Sequence, residues 1–219
     1  MDRVAAVERL CRKGIVAVVR AKSSDQLIDV AKALLAGGVD CIEITMTTPN
    51  ALQVIAACRK AMADSALIGV GSVLSAQVAR QAIEAGAQYV VSPIFKPEVI
   101  QAAHQAGIPC VPGAFTPTEI LLATEAGADL VKVFPGGQLG PSYVKDLLAP
   151  MPHLKLTPTG GVDLTTAAEW IQAGAVTLGV GSALVTKEAL ATGDMAEIQR
   201  LAGEFVRIVA EARAKLKAK

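Results

Sequence analysis

Residues 86–134 read GAQYVVSPIFKPEVIQAAHQAGIPCVPGAFTPTEILLATEAGADLVKVF, and they repeat one pattern. A short run rich in Val and Ile is followed by a turn, by an Ala-rich stretch with the apolar spacing of a helix, and by a glycine. Each glycine lies where the left-handed residue that ends a helix is expected, just before the next apolar run. Every repeat therefore predicts a strand, a turn and a helix.

The spacing of these glycines sets the number of repeats. Gly86 and Gly107 are 21 residues apart, and Gly127 follows 20 residues later. Gly37 precedes Gly86 by 49 residues and Gly174 follows Gly127 by 47, which is two repeats in each case. One repeat takes about two dozen residues, so that 219 residues hold about eight. The predicted strands are 14–20, 39–46, 67–71, 89–92, 109–113, 130–134, 154–158 and 177–180.

Eight strand–helix repeats in one chain predict an α/β fold, a single-domain (β/α)8 TIM barrel that spans residues 1–219. An extra N-terminal helix over about residues 1–11 precedes the first strand, and a last helix over about 194–217 completes the outer layer. An open doubly wound sheet is the alternative. It would need a G-x-G-x-x-G turn after the first strand, where residues 20–25 read RAKSSD.

The composition limits the classes of protein that fit. Of the 219 residues 52% are apolar and 19% charged, with a net charge of +1, which disfavours a disordered chain and a nucleic-acid-binding protein. The longest uncharged stretches, 99–118 and 170–186, are interrupted by polar residues, prolines or glycines, so no membrane span is expected. The first thirteen residues have the pattern of an amphipathic helix rather than of a signal peptide, and we therefore expect a cytoplasmic protein.

Cysteines and histidines are few and scattered. The four cysteines form no C-x-x-C pair, and the only histidines are His104 and His153. A disulfide framework, a metal cluster and a Ser–His triad are all disfavoured, because their ligands or partners are missing from the pattern. We expect no metal and no cofactor, and a structural or exposed position for both histidines.

A lysine interrupts the predicted strand LVKVF at 130–134. Alternation places Lys132 on the same face as Leu130 and Phe134, and this face points into a barrel. Burial disfavours an ammonium and lowers the pKa of a lysine, and a neutral amine can attack a carbonyl carbon to form a Schiff base. The alternative is a structural lysine that forms a salt bridge in the barrel or reaches out at the strand end.

Two more charged side chains belong to predicted strands. Glu43 lies on the face of CIEITM (41–46) opposite the isoleucines, and a buried carboxylate needs a partner, for which Lys132 is the candidate. Such a glutamate can move protons during imine chemistry, directly or through one water, or it forms only a structural pair. Arg20 ends the first strand, where its guanidinium suits a carboxylate or a phosphate unless it pairs with a surface acid.

Glycine pairs follow the last two predicted strands, in TPTGGV at 157–162 and in GVGS at 179–182. Barrels bind phosphate in the loops after their seventh and eighth strands, through backbone N–H groups near a helix N-terminus. The two loops together predict a phosphate site. The alternative is a pair of tight turns that need glycine for a positive φ.

Taken together, these residues resemble the 2-keto-3-deoxy-6-phosphogluconate (KDPG) aldolases, also called KHG/KDPG aldolases, from the first strand to the last helix. The motifs that carry the resemblance are GIVAVVR (14–20), IEITMTTP (42–49), GVGSVL (69–74), VVSP (90–93), PGAFTPTE (112–119), LVKVFPG (130–136), PTGGV (158–162) and GVGSAL (179–184). The resemblance implies a class I aldolase that uses no metal, acts on a small 2-keto acid and is usually a homotrimer.

The resemblance also implies roles for single residues. Lys132 is similar to the Schiff-base lysine of the family and Glu43 to its acid/base. The implied phosphate binders are Thr159, Gly160, Gly161, Gly181 and Ser182, and the implied lining of the pyruvyl group is Ser72, Pro93 and Phe134.

One position departs from the family pattern. Many members carry an arginine four residues after the glutamate, where it binds the pyruvate carboxylate, and this sequence has Thr47 there. Some relatives share the Thr-Pro variant, so the departure leaves the expected activity unchanged and leaves open which residue binds the carboxylate. We hypothesise that Arg20 does so, helped by the Ser72 hydroxyl, with Thr47 beside the substrate.

The implied reaction is the reversible aldol cleavage of a 2-keto-4-hydroxy acid. Lys132 attacks the C2 ketone, and Glu43 removes the C4 hydroxyl proton, so that the C3–C4 bond breaks and hydrolysis of the imine frees pyruvate. The other product is glyceraldehyde 3-phosphate from KDPG, or glyoxylate from 4-hydroxy-2-oxoglutarate. The sequence leaves open the phosphogalactonate epimer of KDPG, an imine-free sugar-phosphate isomerase, and a non-catalytic barrel that binds a phosphorylated ligand.

Overall fold

The computed structural model describes residues 1–20 and 23–217, in which strands and helices alternate along the chain. The strands are β1 (Ile15–Val19), β2 (Cys41–Thr45), β3 (Leu67–Gly71), β4 (Val90–Val91), β5 (Cys110–Val111), β6 (Gly113–Ala114), β7 (Val131–Val133), β8 (Leu156–Pro158) and β9 (Leu178–Val180). The helices are α1 (Arg3–Lys13), α2 (Ser24–Ala36), α3 (Ala51–Met62), α4 (Ala76–Glu84), α5 (Pro97–Gln105), α6 (Pro117–Glu125), α7 (Gly140–Leu148), α8 (Ala167–Gln172), α9 (Lys187–Thr192) and α10 (Met195–Lys217). Every strand pair is parallel, which confirms the α/β fold.

The strands pair in two sheets. The larger has the order β5-β4-β3-β2-β1-β9 and the smaller the order β6-β7-β8. Only Pro112 separates β5 from β6, and an isolated parallel bridge joins Thr159, next to β8, to Gly179 of β9. The predicted strand 109–113 is two short strands because proline has no N–H group to donate to a ladder.

The predicted N-terminal helix is present as α1 and covers the N-terminal ends of the strands. Its Leu10 packs with side chains that the strands enclose, among them Val16, Tyr89 and Leu130. Arg213 of α10 fixes the end of this helix by donating to the carbonyl oxygen of Cys11 at 2.8 Å. The strands are therefore closed to solvent at their N-terminal ends.

A second apolar core lies between the strands and the outer helices, with Trp170 and Phe205 among its largest buried side chains. Both histidines lie where the sequence predicts. His104 Nε2 is 3.0 Å from Asp129 Oδ2, and His153 is exposed. No helix in residues 1–20 and 23–217 combines the length and the apolar character that a membrane crossing requires.

One predicted helix end is displaced by a residue. Gly37 has φ −81°, and the left-handed residue after α2 is Gly38, with φ +92°. Gly37 instead continues the helical hydrogen bonding, and a Cβ at this position would collide with Ala202 of α10. The first glycine of the pair is therefore needed for helix packing and the second for the turn.

Candidate active site

Glu43 in the middle of β2 and Lys132 in the middle of β7 line one interior cavity. Glu43 is 3% exposed and Lys132 is 6% exposed. Lys132 shares its face with Phe134, whose ring centroid lies 4.8 Å from Nζ, as alternation along the strand predicts. The structure thus brings together the two charged residues that the sequence singles out.

The pKa of the Glu43 carboxyl is shifted by its surroundings. Burial raises its pKa above the ordinary value of 4.5, and the positive charges of Lys132 and Arg20 act in the opposite direction. A glutamate with a raised pKa can act as acid or base closer to neutral pH than an exposed one.

Gly71 makes the position of this carboxylate possible. In the β2–β3 register Thr45 pairs with Gly71. A Cβ at residue 71 would collide with Glu43 Oε1 and would lie 2.5 Å from Glu43 Cδ. The absence of a side chain at residue 71 therefore gives Glu43 its space inside the fold.

A polar network joins the C-terminal ends of β1 and β2. The hydroxyl oxygens of Thr45 and Thr47 are 2.8 Å apart, and Arg20 Nε donates to Thr47 Oγ1 at 3.2 Å. Thr45 is buried, whereas Thr47 and Arg20 are exposed. Arg20, the residue after β1, thus reaches Thr47 beyond the end of β2.

The two glycine loops line a second pocket next to the cavity. Its lining contains Arg20, Phe134, Thr159, Gly160, Gly161, Gly181 and Ser182. Thr159 lines both the pocket and the interior cavity, so the two are neighbours. Gly160 and Gly161 have φ values of +85° and +71°, a conformation that L side chains rarely adopt.

A short hydrogen-bonded turn follows these glycines. Asp163 Oδ1 accepts hydrogen bonds from the backbone N–H groups of Thr165 and Thr166, at 2.9 and 3.0 Å. It also accepts from the Thr165 hydroxyl, and these bonds lower the pKa of Asp163. The turn fixes the end of the loop that bears Gly160 and Gly161.

The other predicted lining residues lie at the ends of β3 and β4. Ser72 follows β3 in a left-handed conformation, with φ +60°, which is uncommon for a residue other than glycine. Pro93 follows β4, and its carbonyl group fills the space beside Gly113. Within the described residues, neither Ser72 nor Pro93 is part of the lining of the cavity or of the glycine-loop pocket.

The cavity contains three polar residues that were not predicted from the sequence. Tyr89, Thr157 and Thr177 line it together with Glu43 and Lys132. The strand pattern indicates two of them. Tyr89 is two residues before Val91 and Thr157 is two residues before Thr159, so each shares a strand face with another residue that lines the cavity. In the part of the chain that the structure describes, no group of three or more His, Cys, Asp or Glu side chains is placed to hold a metal ion.

Comparison with known proteins agrees with the geometry of the site. The model of the family "KDPG and KHG aldolase" matches residues 7–201. The chain is 37% identical over 203 residues to a 2-dehydro-3-deoxy-phosphogluconate aldolase of Treponema pallidum, which covers 92% of this chain and 96% of the relative. It is 36% identical over 171 residues to a 2-dehydro-3-deoxy-6-phosphogalactonate aldolase of Escherichia coli, covering 78% and 83% of the two chains.

A solved structure from Legionella pneumophila is also similar, with a TM-score of 0.84 and 26% identity over 90% of this chain and 96% of the other. It is described as a KDPG aldolase with pyruvate captured at low pH as a covalent carbinolamine intermediate. The family match extends over most of the chain, and the relatives match over nearly their whole length. The chain therefore belongs to the family of KDPG and KHG aldolases, and it is an aldolase, a carbon–carbon lyase.

Proposed function

We propose that the protein is a class I aldolase that reversibly cleaves KDPG to pyruvate and glyceraldehyde 3-phosphate. One observation carries the proposal: a buried lysine and a buried glutamate share an interior cavity that adjoins a pocket built from two glycine loops. A lysine inside an apolar interior is rarely retained for stability alone. Imine chemistry gives Lys132 a function that accounts for its place.

In the proposed mechanism the Lys132 amine attacks the C2 ketone, and loss of water from the carbinolamine gives a protonated imine. Glu43 removes the C4 hydroxyl proton, directly or through one water, and the electron pair of the C3–C4 bond moves into the imine. The aldehyde leaves, the enamine of pyruvate takes up a proton at C3, and water hydrolyses the resulting imine. Burial of both groups strengthens the electrostatic stabilisation of the iminium.

We place the substrate phosphate in the glycine-loop pocket. Gly160 and Gly161 line this pocket without side chains that would cover their backbone N–H groups, and such exposed N–H groups bind phosphate in glycine loops. Gly181 and the Ser182 hydroxyl line the same pocket. Removal of the hydroxyl by Ser182→Ala is expected to raise KM for a phosphorylated substrate more than for 4-hydroxy-2-oxoglutarate.

We assign the pyruvate carboxylate to Arg20, with Ser72, Pro93 and Phe134 near the pyruvyl group. The support is the hydrogen bond from Arg20 to Thr47, which holds the guanidinium at the end of β2. Arg20 also lines the glycine-loop pocket, so that the phosphate is its competing ligand.

Reduction of the pyruvate imine with sodium borohydride, with pyruvate as the only ligand, distinguishes the two candidate ligands of Arg20. Pyruvate carries a carboxylate and no phosphate. Arg20→Ala is expected to raise the half-saturating pyruvate concentration strongly. If half-saturation by pyruvate stays unchanged and only KM for the phosphorylated substrate rises, Arg20 binds phosphate and the carboxylate assignment is wrong.

The two sheets are proposed to form one closed (β/α)8 barrel in a single domain spanning residues 1–219. Two observations support closure: Pro112 alone separates β5 from β6, and the bridge between Thr159 and Gly179 links β8 to β9. β5 and β6 then count as one strand, which gives eight.

A homotrimer in the cytoplasm is proposed as the working form. Leu74, Ile94 and Phe115 lie on three neighbouring loops with exposed fractions of 53%, 42% and 40%, a surface suited to subunit contact. The four cysteines are free thiols, in keeping with a reducing compartment. Light scattering of the purified protein measures the subunit number, and a monomeric mass at micromolar concentration would contradict the trimer.

Borohydride trapping tests the proposed reaction. Incubation with pyruvate and sodium borohydride is expected to add one pyruvate-derived mass to the wild-type chain and none to Lys132→Ala. An imine-free isomerase, or a barrel that only binds a phosphorylated ligand, forms no such adduct. Absence of the adduct in the wild type would overturn the class I assignment.

The phosphogalactonate epimer is the second candidate substrate, because the relative that carries this name is 36% identical to the chain, close to the 37% of the phosphogluconate relative. The two substrates differ only in configuration at C4. Comparison of kcat/KM for the pair decides between them.

A further inference from the structure

The interior cavity extends below the proposed catalytic pair to a deep end lined by Tyr89, Thr177 and Leu10 of α1. Tyr89 is 0% exposed and Thr177 is 2% exposed. In the described part of the chain neither Tyr89 Oη nor Thr177 Oγ1 has a hydrogen-bond partner. A buried hydroxyl without a partner is costly, and buried polar groups in native proteins are usually paired with protein or with ordered water.

The phenol of Tyr89 lies close below the Glu43 carboxylate. A Cβ at Gly69 would collide with Tyr89 Cζ, so the ring end that bears the hydroxyl lies over Gly69. Gly69 pairs with Glu43 in the β2–β3 register, and Gly71, two residues further along β3, accommodates the carboxylate. Two glycines on the inward face of one strand therefore place the phenol and the carboxylate side by side along the cavity.

The cavity that these groups line has room for a water molecule. The space open to water centres is about 20 Å³, and a single buried water needs about 10–15 Å³ and two to four polar partners. Tyr89, Thr177, Glu43 and Lys132 offer these partners.

We propose that a buried water at the deep end of the cavity links Tyr89 to Glu43. The phenol donates a hydrogen bond to the water, and the water donates one to the Glu43 carboxylate and so positions it. Tyr89 is then a positioning residue, and Thr177 is a second anchor of the water. The inference rests on the proposed acid/base role of Glu43 and adds the means by which its ionised form is held.

The electrostatic surroundings of Glu43 are consistent with this arrangement. The groups that act on it are Lys132 from β7, Arg20 from the end of β1 and Tyr89 from the residue before β4. Burial raises the pKa of Tyr89 well above its ordinary value, and the nearby carboxylates of Glu43 and Asp40 add to the increase. The phenol therefore remains protonated, and able to donate, across the working pH range.

The test is the pH profile of kcat/KM for Tyr89→Phe, which retains the ring and removes only the hydroxyl. Loss of the hydrogen bond destabilises the ionised carboxylate, so the acid limb is expected to move toward higher pH by about 0.5 to 1 unit. Tyr143→Phe is the matched control, because this second tyrosine donates to the carbonyl oxygen of Phe115 outside the cavity. Its acid limb is expected to stay at the wild-type pH.

Thermal unfolding of the same variants gives an independent readout. If the hydroxyl has a water partner, Tyr89→Phe lowers Tm or leaves it unchanged, whereas removal of an orphaned hydroxyl raises it. An unshifted acid limb in folded Tyr89→Phe overturns the inference, and so does a raised Tm.

Thr177→Val supports the proposal by a smaller shift in the same direction, and it replaces Tyr89→Phe if that variant does not fold. No shift in the folded Thr177→Val variant would then overturn the inference. Borohydride trapping with pyruvate distinguishes failure of this inference from failure of the proposed function. A wild-type adduct with no shift in the variants removes only the role of Tyr89, whereas no wild-type adduct removes the proposed function with it.

Discussion

The substitution Gly71→Ala displaces the side chain of Glu43, the proposed acid/base, without replacing that residue. The new Cβ would collide with Glu43 Oε1 and lie 2.5 Å from Glu43 Cδ, whereas ordinary contact begins at 3.4 Å. The Cδ atom must therefore retreat by about 0.9 Å, the difference of these two distances. A misplacement of about 1 Å in a reacting group can cost about 100-fold in rate, or about 2.7 kcal/mol of activation free energy.

We accordingly expect kcat for KDPG cleavage to fall about 100-fold in Gly71→Ala, measured by coupling pyruvate release to lactate dehydrogenase. The pyruvate adduct at Lys132 should still form, because the substitution does not touch this residue. Gly203→Ala is the matched control, since the nearest atom to its Cβ is the Gly37 carbonyl oxygen at 3.9 Å. A folded Gly71→Ala enzyme with kcat within about threefold of the wild type would refute the reasoning, because the carboxylate would then not need its observed place.

Three further outcomes follow from the pKa directions and hydrogen bonds. Because Glu43 must be ionised to act as a base and burial raises its pKa, the acid limb of wild-type kcat/KM should lie above pH 4.5, and a midpoint at or below this value would contradict the role. Asp163→Ala removes the turn after the glycine loop, so KM for the phosphorylated substrate should rise roughly tenfold while half-saturation by pyruvate in adduct formation stays constant. Glu119 accepts from the N–H groups of Phe115 and Thr116, which lowers its pKa, so its stabilising effect is present above pH 4.5 and is lost as the pH falls through the lowered value. Glu119→Ala should therefore unfold more readily by about 1 kcal/mol at neutral pH in urea titrations, and the difference should vanish in acid.

Local physical preferences explain why much of the fold could be predicted. The recurring Ala-Gly ends of helices and the apolar runs between them reflect backbone rules that act within a few residues, and they located the strands and α1. Strand alternation placed Lys132 and Phe134 on one face, because successive side chains of a strand point to opposite sides. The Ala-Gly-Gly ending of α2 was ambiguous at this level, since contact with Ala202 of α10, distant in sequence, decides which glycine turns.

The sequence by itself determined the strand and helix repeats, the inward positions of Lys132 and Glu43, and the glycine loops, because each depends on neighbours along the chain. Only the tertiary structure decided which side chains share a cavity. The contact of Arg20 with Thr47 joins two strands, and the place of Tyr89 depends on a glycine of β3. Such contacts depend on the register between strands and on the space that a distant glycine leaves open, and neither quantity is encoded in the local pattern.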